Sequence, residues 1–568
     1  MRLPRILFAV VLLLGLVCRI EGADEEQRLQ SVRKLYEQKE WEKVLREARG
    51  PADQSADFDY YAGMALSRLE RWTEAREAFS IGARKMPRDA RFLVERAGAE
   101  YKLGTFRAAK RDLRRSLRLN PDDRYAAEFL GTIYLLEGNL EASLKYWNVV
   151  AKPRLEAVEV QPAPKTDKQL LDRAVTFAPP GALDPESLLK TNALLENLEV
   201  FSQARVELSS TPGATEGDGY KATIRLNEQS RWGSSLLDGA ISLLRGLPYQ
   251  TVYPSYYGFR GAAVNFDSLV RWDQEKRRVA VSISFPLFRQ PGKRVRLFFD
   301  QRNENWNLAR TFSAGPAAIT DLNMKRFAGG AQIHIVESGR WDLATGVEVV
   351  SREFRNLPAG LPQSTSSFFI NGKTSDAWLA AHRSLIRVPE RRFTVDGSAE
   401  IRAGRNYAQG LGAFSSFKGE IETRWLPKAR GHDFEFISTI RGAETVGDVP
   451  IDELYQLGMD RDNDLWLRAH SGTIGGRKGA APLGRRYLLL NSEIYKTAYD
   501  GAFLRVQLGP FLDTGAIADP TSLFGSRKWL VDVGIQARIR IFGSASVVLS
   551  YGRDLRNGTG LFYGTSMR

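Results

Sequence analysis

From residue 277 onward, apolar and polar side chains repeatedly alternate one by one along the chain. The pattern is clearest in FKGEIETRW (417–425), LRVQLGPFLDTG (504–515) and LVDVGIQARIRI (530–541). A period of two predicts β-strands, because successive side chains of a strand point to opposite faces of the sheet. Runs of about 9–12 residues are as long as a tilted strand that crosses the hydrocarbon layer of a membrane.

Two architectures share this period, a soluble β-sandwich and a transmembrane β-barrel. The length of the runs favours the barrel, and so do their polar faces, which carry charges of both signs as a water-filled lumen would accept. Short turns such as 290–293 also alternate with long loops such as 356–376. We therefore predict that residues 230–568 form an antiparallel transmembrane β-barrel of about 16 strands. An exported soluble sandwich is the alternative.

The N-terminus predicts export. Arg2 and Arg5 precede a short apolar run at 6–17, which is typical of a secretory signal peptide over residues 1–23, with cleavage near Ala23. Val17 is larger than the residue a lipoprotein signal places before its cysteine, which disfavours lipidation of Cys18. Because Cys18 is the only cysteine, the mature chain could form no disulfide.

Residues 26–152 contain a helical repeat. The stretches ending at Pro87 and Pro121 align with a spacing of about 34 residues, and small and large residues recur at that interval. This pattern resembles a tetratricopeptide (TPR) array of three to four units, whose concave groove usually binds a protein or peptide. A generic helical bundle is the alternative. The positions expected to pack the helices are Gly63, Ala75, Phe79, Pro87, Ala97, Ala109, Pro121, Gly131, Tyr134 and Trp147.

Between the repeat and the barrel, the sequence predicts a linker and one small α/β module. Residues 153–168 are rich in proline and polar residues and predict the linker. In the module, 169–229, Asp184-Pro185-Glu186 predicts a helix start, and 206–208 and 221–226 predict two strands around a turn at 212–219. The order of elements resembles the last part of a polypeptide-transport-associated (POTRA) domain, which implies binding of a segment by strand addition. A structural spacer is the alternative.

Three local motifs carry a family resemblance. PFLDTG (510–515), the stretch 453–476 and the terminal GLFYGTSMR (560–568) resemble the BamA superfamily of bacterial surface-antigen barrels. The resemblance implies a loop that folds into the lumen, with Arg468 as the loop arginine and Asp513 as its carboxylate partner on the barrel wall. Ala469-His470 departs from the family's glycine-aromatic pair. The terminal insertion signal would comprise Leu561, Tyr563, Gly564 and Met567.

No set of residues predicts catalysis. The four histidines, His334, His382, His432 and His470, show no metal-ligand spacing, and no nucleophile elbow or phosphate loop is present. We therefore expect no enzyme, no cofactor and no metal. The net charge of +14 is spread thinly, without the basic block of a nucleic-acid arm, so we expect no nucleic-acid partner.

Three functions compete. The leading hypothesis is a multidomain protein of the bacterial outer membrane, with its TPR array and POTRA-like module in the periplasm, that assists insertion or translocation of proteins. Its partners would be outer-membrane lipid, a periplasmic protein or peptide in the TPR groove, and the protein substrate. A TPR-plus-barrel exporter of polysaccharide or surface lipoproteins is the second hypothesis. A soluble exported TPR adaptor with a β-domain is the third.

Overall fold

The computed structural model describes residues 24–50, 54–211, 219–229, 240, 243, 246–309, 319–361, 363–408, 412–428, 433–501, 503–520, 524–541 and 545–567. The chain divides into two compact units, Met1–Lys152 and Pro153–Arg568. The predicted signal peptide, Cys18 and His432 lie outside the described residues. Among the described residues, no helix has the length and hydropathy needed to cross a bilayer.

The first unit consists of α-helices arranged as consecutive pairs. Side chains of Ser55, Asp89 and Asp123 accept backbone N–H groups at the start of three of them, as helix-capping residues do. This is the all-α region that the sequence predicts. The helices are α1 (24–37), α2 (Trp41–Glu47), α3 (Ala56–Arg68), α4 (Trp72–Lys85), α5 (Ala90–Lys102), α6 (Phe106–Leu119), α7 (Arg124–Leu136) and α8 (Leu140–Trp147).

The repeated small and large residues lie where helices meet. A Cβ at Gly63 would overlap the Phe79 ring, and one at Gly131 would overlap the Trp147 ring, so glycine permits the close approach in each pair. Pro87 and Pro121 lie in turns, two residues after α4 and α6 end. The remaining predicted packing residues are buried: Ala75, Ala97, Ala109 and Tyr134.

The second unit begins with a small α/β module. It contains β1 (Arg154–Gln161), α9 (Lys168–Ala174), α10 (Pro185–Asn197), β2 (Phe201–Ser210) and β3 (Gly219–Glu228). The sheet order is β1-β3-β2, with β1 parallel and β2 antiparallel to β3. Most of the predicted turn, 212–218, lies outside the described residues.

The prediction of a linker at 153–168 is wrong for most of its length. Arg154–Gln161 forms the parallel edge strand β1, and α9 begins at Lys168. The partner of β1 lies more than 60 residues later in the chain, at 219–225. A parallel pairing leaves no local turn signal in the sequence. Pro162 indicates only where the strand ends, because proline cannot donate a hydrogen bond within a paired strand.

The remaining strands build one large sheet and a small ribbon. Strands β4 to β14 precede a long loop, and β19 to β23 follow it. Their bounds are β4 (Thr251–Val252), β5 (Ser255–Phe259), β6 (Val264–Trp272), β7 (Lys276–Pro286), β8 (Lys293–Trp306), β9 (Leu322–Ser338), β10 (Trp341–Arg355), β11 (Gly372–Val388), β12 (Phe393–Asn406), β13 (Ala413–Trp425), β14 (Phe434–Gly447), β15 (Tyr455–Gln456), β16 (Thr473–Ile474), β17 (Arg477–Lys478), β18 (Leu483–Gly484), β19 (Arg486–Asp500), β20 (Leu504–Ala518), β21 (Gly525–Ile541), β22 (Ala545–Asp554) and β23 (Gly560–Met567).

The large sheet closes into a barrel of 18 strand segments, in which β23 lies next to β4. The prediction was about 16 strands. The described segments include β16 and β17, which belong to the long loop, and the first strand is divided into β4 and β5, which both pair with β6. Pro254 lies at the division, where its missing N–H cannot contribute to the ladder.

The barrel wall has an apolar outside and a polar inside. On β20, Leu508 and Leu512 are 48% and 39% exposed, whereas Phe511 and Asp513 between and after them are buried. A soluble sandwich would bury its apolar face, so that alternative is wrong. The same outward exposure is shared by Leu297, Phe299, Val347, Val349, Leu379, Ile401, Phe417, Ile421, Ile440, Leu488, Ile494, Ile535 and Phe562. The geometry is that of a transmembrane barrel.

Candidate functional site: a loop anchored inside the barrel

The long loop at 448–485 leaves the wall between β14 and β19 and crosses the lumen. The wall stays continuous behind it, because β14 and β19 pair directly with each other. The loop contributes Lys478 to a one-residue parallel pairing with Trp306 of β8. Its charged side chains reach three separate parts of the inner wall.

The first anchor is Arg468. Its Nε lies 2.8 Å from Asp513 Oδ2 and its Nη2 lies 2.6 Å from Asp513 Oδ1, so the guanidinium donates a bidentate pair of hydrogen bonds. The backbone N–H of Arg468 donates to the same carboxylate over 3.1 Å. Asn491 donates to Asp513 over 2.7 Å, and the guanidinium carbon lies 3.8 Å from the centre of the Phe511 ring. The structure thus brings together the two residues that the family resemblance selects.

Arg468 and Asp513 are both removed from solvent. Their exposed fractions are 1% and 0%. Arg468 Nη1 also donates to Glu493 over 2.5 Å and to Gln536. An ion pair in this position is stable only while both charges keep their partners, since a lone buried charge is costly.

The second anchor joins Asp460 and Asp462 of the loop to β6 and β7. Lys276 Nζ donates to Asp460 over 2.7 Å, and Arg271 and Arg278 each donate to Asp462 over 2.7 Å. Sequence reasoning missed this anchor. The acidic run DRDND (460–464) was visible, but its cationic partners on β6 and β7 lie more than 180 residues away and only barrel closure brings them near.

The third anchor is at the start of the loop. Arg352 of β10 donates to Asp452 over 2.7 Å and also bonds Glu453. Arg326 of β9 lies 3.3 Å from Asp452. Sequence reasoning missed this cluster too, because three strands of the wall supply its cations, with Arg402 of β12 lying 3.5 Å from Glu453.

The small module is fastened to the short-turn end of the barrel. Glu199 lies 3.0 Å from Arg294 and 2.6 Å from Arg296 on β8. Asn197 donates to the carbonyl of Pro291 over 2.7 Å. Burial works against ionisation of Glu199, but the neighbouring cations Arg294 and Arg296 outweigh it and lower the pKa of this carboxyl. A cavity of about 550 Å³ lies between the module and the wall here.

The residues of the predicted insertion signal lie on β23. Leu561, Tyr563 and Gly564 pair with β22, and the carbonyl of Gly564 accepts a hydrogen bond from the Tyr249 hydroxyl over 2.5 Å. Met567 ends the strand, and its side chain is outside the described residues. These residues therefore lie beside the junction of the last and first strands.

Three histidines that look scattered in the sequence have carboxylate partners in the fold. His334 and His382 share Asp342, at 3.1 Å and 2.8 Å. His470, two residues after Arg468, lies 3.0 Å from Asp532. The histidines show no metal-ligand spacing along the chain, but such spacing carries no information about pairing across strands.

Fold and site together define a transmembrane β-barrel with an anchored lumen loop and a docked α/β module. No protein-family model matches the chain, and no curated protein matches it. Among solved structures, it is similar to BamA from Haemophilus ducreyi lacking POTRA domains 1–3, with 12% identity, coverage of 73% of this chain and 84% of that one, and a TM-score of 0.42. It is also similar to CdiB from Escherichia coli, with 11% identity, 73% and 75% coverage, and a TM-score of 0.45. It is similar as well to CdiB from Acinetobacter baumannii, with 14% identity, coverage of 73% of this chain and 73% of that one, and a TM-score of 0.42.

Proposed function

We propose that this protein is an outer-membrane barrel that assists insertion or translocation of proteins. The observation that supports the proposal is the lumen loop pinned by Arg468 on one wall and by Asp460 and Asp462 on another. A conduit for a polymer needs an open lumen, whereas a loop held by buried ion pairs obstructs it. Two of the three motifs that carry the resemblance to the BamA superfamily, 453–476 and 510–515, supply the Arg468–Asp513 pair that holds this loop.

The small module is proposed to receive the substrate. In its sheet, β2 pairs with β3 on one side only, and among the described residues no strand covers its other edge. An exposed edge presents unpaired N–H and C=O groups to which an extended segment can add. The module is docked at the barrel mouth through Glu199, so a segment added there would be delivered toward the junction of β23 and β4.

The helical unit is proposed to dock a periplasmic protein or peptide in its concave groove. One face of α6 is strongly basic, and acidic partners would suit it. That face comprises Arg107, Lys110, Arg111, Arg114, Arg115 and Arg118, of which Lys110 is already paired with Glu137. In this proposal the helical unit and the small module both lie in the periplasm.

Single-channel conductance of the purified full chain tests the proposal. We expect the wild type to be mostly closed. Arg468→Ala and Asp513→Ala should both conduct more, because each breaks the same ion pair that anchors the loop. Arg505→Ala is the matched control, since it removes a partly exposed ion pair with Asp500 from the same strand as Asp513. A wild type that is already a stable open pore, unchanged by either loop variant, would contradict the proposal and favour passive export of a polymer.

A further inference from the structure

Three aspartates lie side by side across three neighbouring wall strands. Asp513 of β20 is directly opposite Asp532 of β21, and Asp532 is directly opposite Asp554 of β22. All three have an exposed fraction of 0%. Like charges directly opposite each other on one face of a sheet repel, and burial strengthens the repulsion. Positive charge must therefore lie between them.

Of the three aspartates, Asp513 is the one that receives this positive charge from Arg468. Asp532 accepts only from the backbone N–H of Ala469, at 2.7 Å, and from His470 Nδ1, at 3.0 Å, among the described residues. Its Oδ1 is buried and accepts no hydrogen bond from any described residue. Two carboxylates thus remain beside one imidazole.

Asp554 is held by neutral donors. The backbone N–H of Arg556 and the amide of Asn557 each donate to it over 2.8 Å, and His470 Nε2 lies 3.8 Å away. These bonds orient the carboxylate without neutralising it. Nitrogen or oxygen atoms of His470, Asp532 and Asp554 all lie within 4.8 Å of one another.

We propose that His470, Asp532 and Asp554 bind a divalent transition-metal ion, with Zn²⁺ as the best match. Imidazole nitrogen and carboxylate oxygen are both zinc ligands, and with three protein ligands a fourth position stays open to water. Mg²⁺ and Ca²⁺ prefer six or more oxygen ligands, which this site does not supply. The ion would neutralise the two carboxylates and satisfy the orphan oxygen of Asp532.

Such an ion would add a further anchor to the lumen loop. His470 belongs to the loop, whereas both aspartates belong to the wall, so the metal would cross-link the two. Ala469 N–H, bonded to Asp532, and the donors on Asp554 would act as the supporting shell that orients the ligands. Metal binding at this site does not depend on the proposed transport function.

Zinc titration of the tag-free, chelator-treated full chain in detergent tests the site by calorimetry. We expect one Zn²⁺ per wild-type chain and binding at least tenfold weaker in His470→Asn and Asp554→Asn. The matched control His382→Asn removes a histidine that is paired with Asp342 elsewhere in the barrel, and it should bind as the wild type does. Wild type without saturable uptake, or His470→Asn with undiminished uptake, would overturn the proposal.

A second measurement needs no variant. X-ray absorption of the zinc-loaded wild type should show one imidazole nitrogen together with oxygen ligands around the metal. A ligand shell without imidazole would contradict the site even if a variant failed to fold.

Discussion

Removing the guanidinium of Arg468 should release the lumen loop from β20. In Arg468→Ala, Asp513 loses both side-chain hydrogen bonds from the arginine; among the residues that the structure describes, it keeps Asn491 and the backbone N–H of residue 468 as donors. Asp513 is fully buried, and the substitution removes the cation that it pairs with. The variant therefore tests whether this one ion pair determines how often the loop opens.

The expected increase in loop opening follows from the burial of the Arg468–Asp513 pair. Breaking a buried ion pair by removing one partner costs about 3–5 kcal/mol. Since every 1.4 kcal/mol corresponds to a factor of ten, the open population should rise about 140- to 3,700-fold. The exposed pair Arg505–Asp500 should change it by less than about fivefold when Arg505 is replaced by alanine, because exposed pairs contribute roughly 0–1 kcal/mol.

Limited proteolysis with trypsin measures the opening. The loop retains Arg461 and Arg477 as cleavage sites, and mass spectrometry can assign the cut to each. Cleavage tracks the equilibrium population of the open loop when opening and closing are fast relative to cleavage. We expect cleavage at both sites to accelerate by the factor given above.

Two results would refute this reasoning. Cleavage of Arg468→Ala no faster than that of the Arg505→Ala control would show that the pair does not hold the loop. The double variant Arg468→Ala/Asp513→Ala leaves no lone charge, so it should be cleaved more slowly than Arg468→Ala. Equal cleavage of the two variants would show that the buried charge of Asp513 is not the cause.

Two further predictions concern the parts of the chain outside the barrel wall. Burial raises the pKa of Glu100 in the helical unit to about 7, so its contribution to stability is complete below its ordinary pKa and is lost as pH rises through about 7. Glu100→Gln should therefore raise the melting temperature of the helical circular dichroism signal at pH 8 and leave it nearly unchanged at pH 4; equal shifts at both values would contradict the assignment. Glu199→Ala should speed hydrogen exchange in the segment after α10 by on the order of 100-fold, because the buried Arg294 loses the carboxylate that it pairs with. Glu207→Ala, which removes an exposed pair in the same module, is its control, and equal exchange in the two variants would exclude docking through Glu199.

Local patterns were sufficient for much of the architecture. Period-two alternation is a property of neighbouring residues, and it predicted the strands of 230–568 and the outward direction of residues such as Leu508. The 34-residue recurrence likewise selected Gly63 and Phe79 as packing positions, and the structure places the two in contact. Arg468 and Asp513 could be selected only because each lies within a short motif.

Pairing between distant segments was decided by the tertiary structure. The sequence of Arg154–Gln161 predicts a linker, because the strand that it pairs with lies across the module and leaves no local turn signal in the sequence. Asp532 and Asp554 became neighbours of His470 only when the barrel placed β21 beside β22 and the loop folded over them. Electrostatic interaction depends on distance in space, so the sequence by itself determined which residues are charged and which face of a strand they occupy, and barrel closure decided which of them meet.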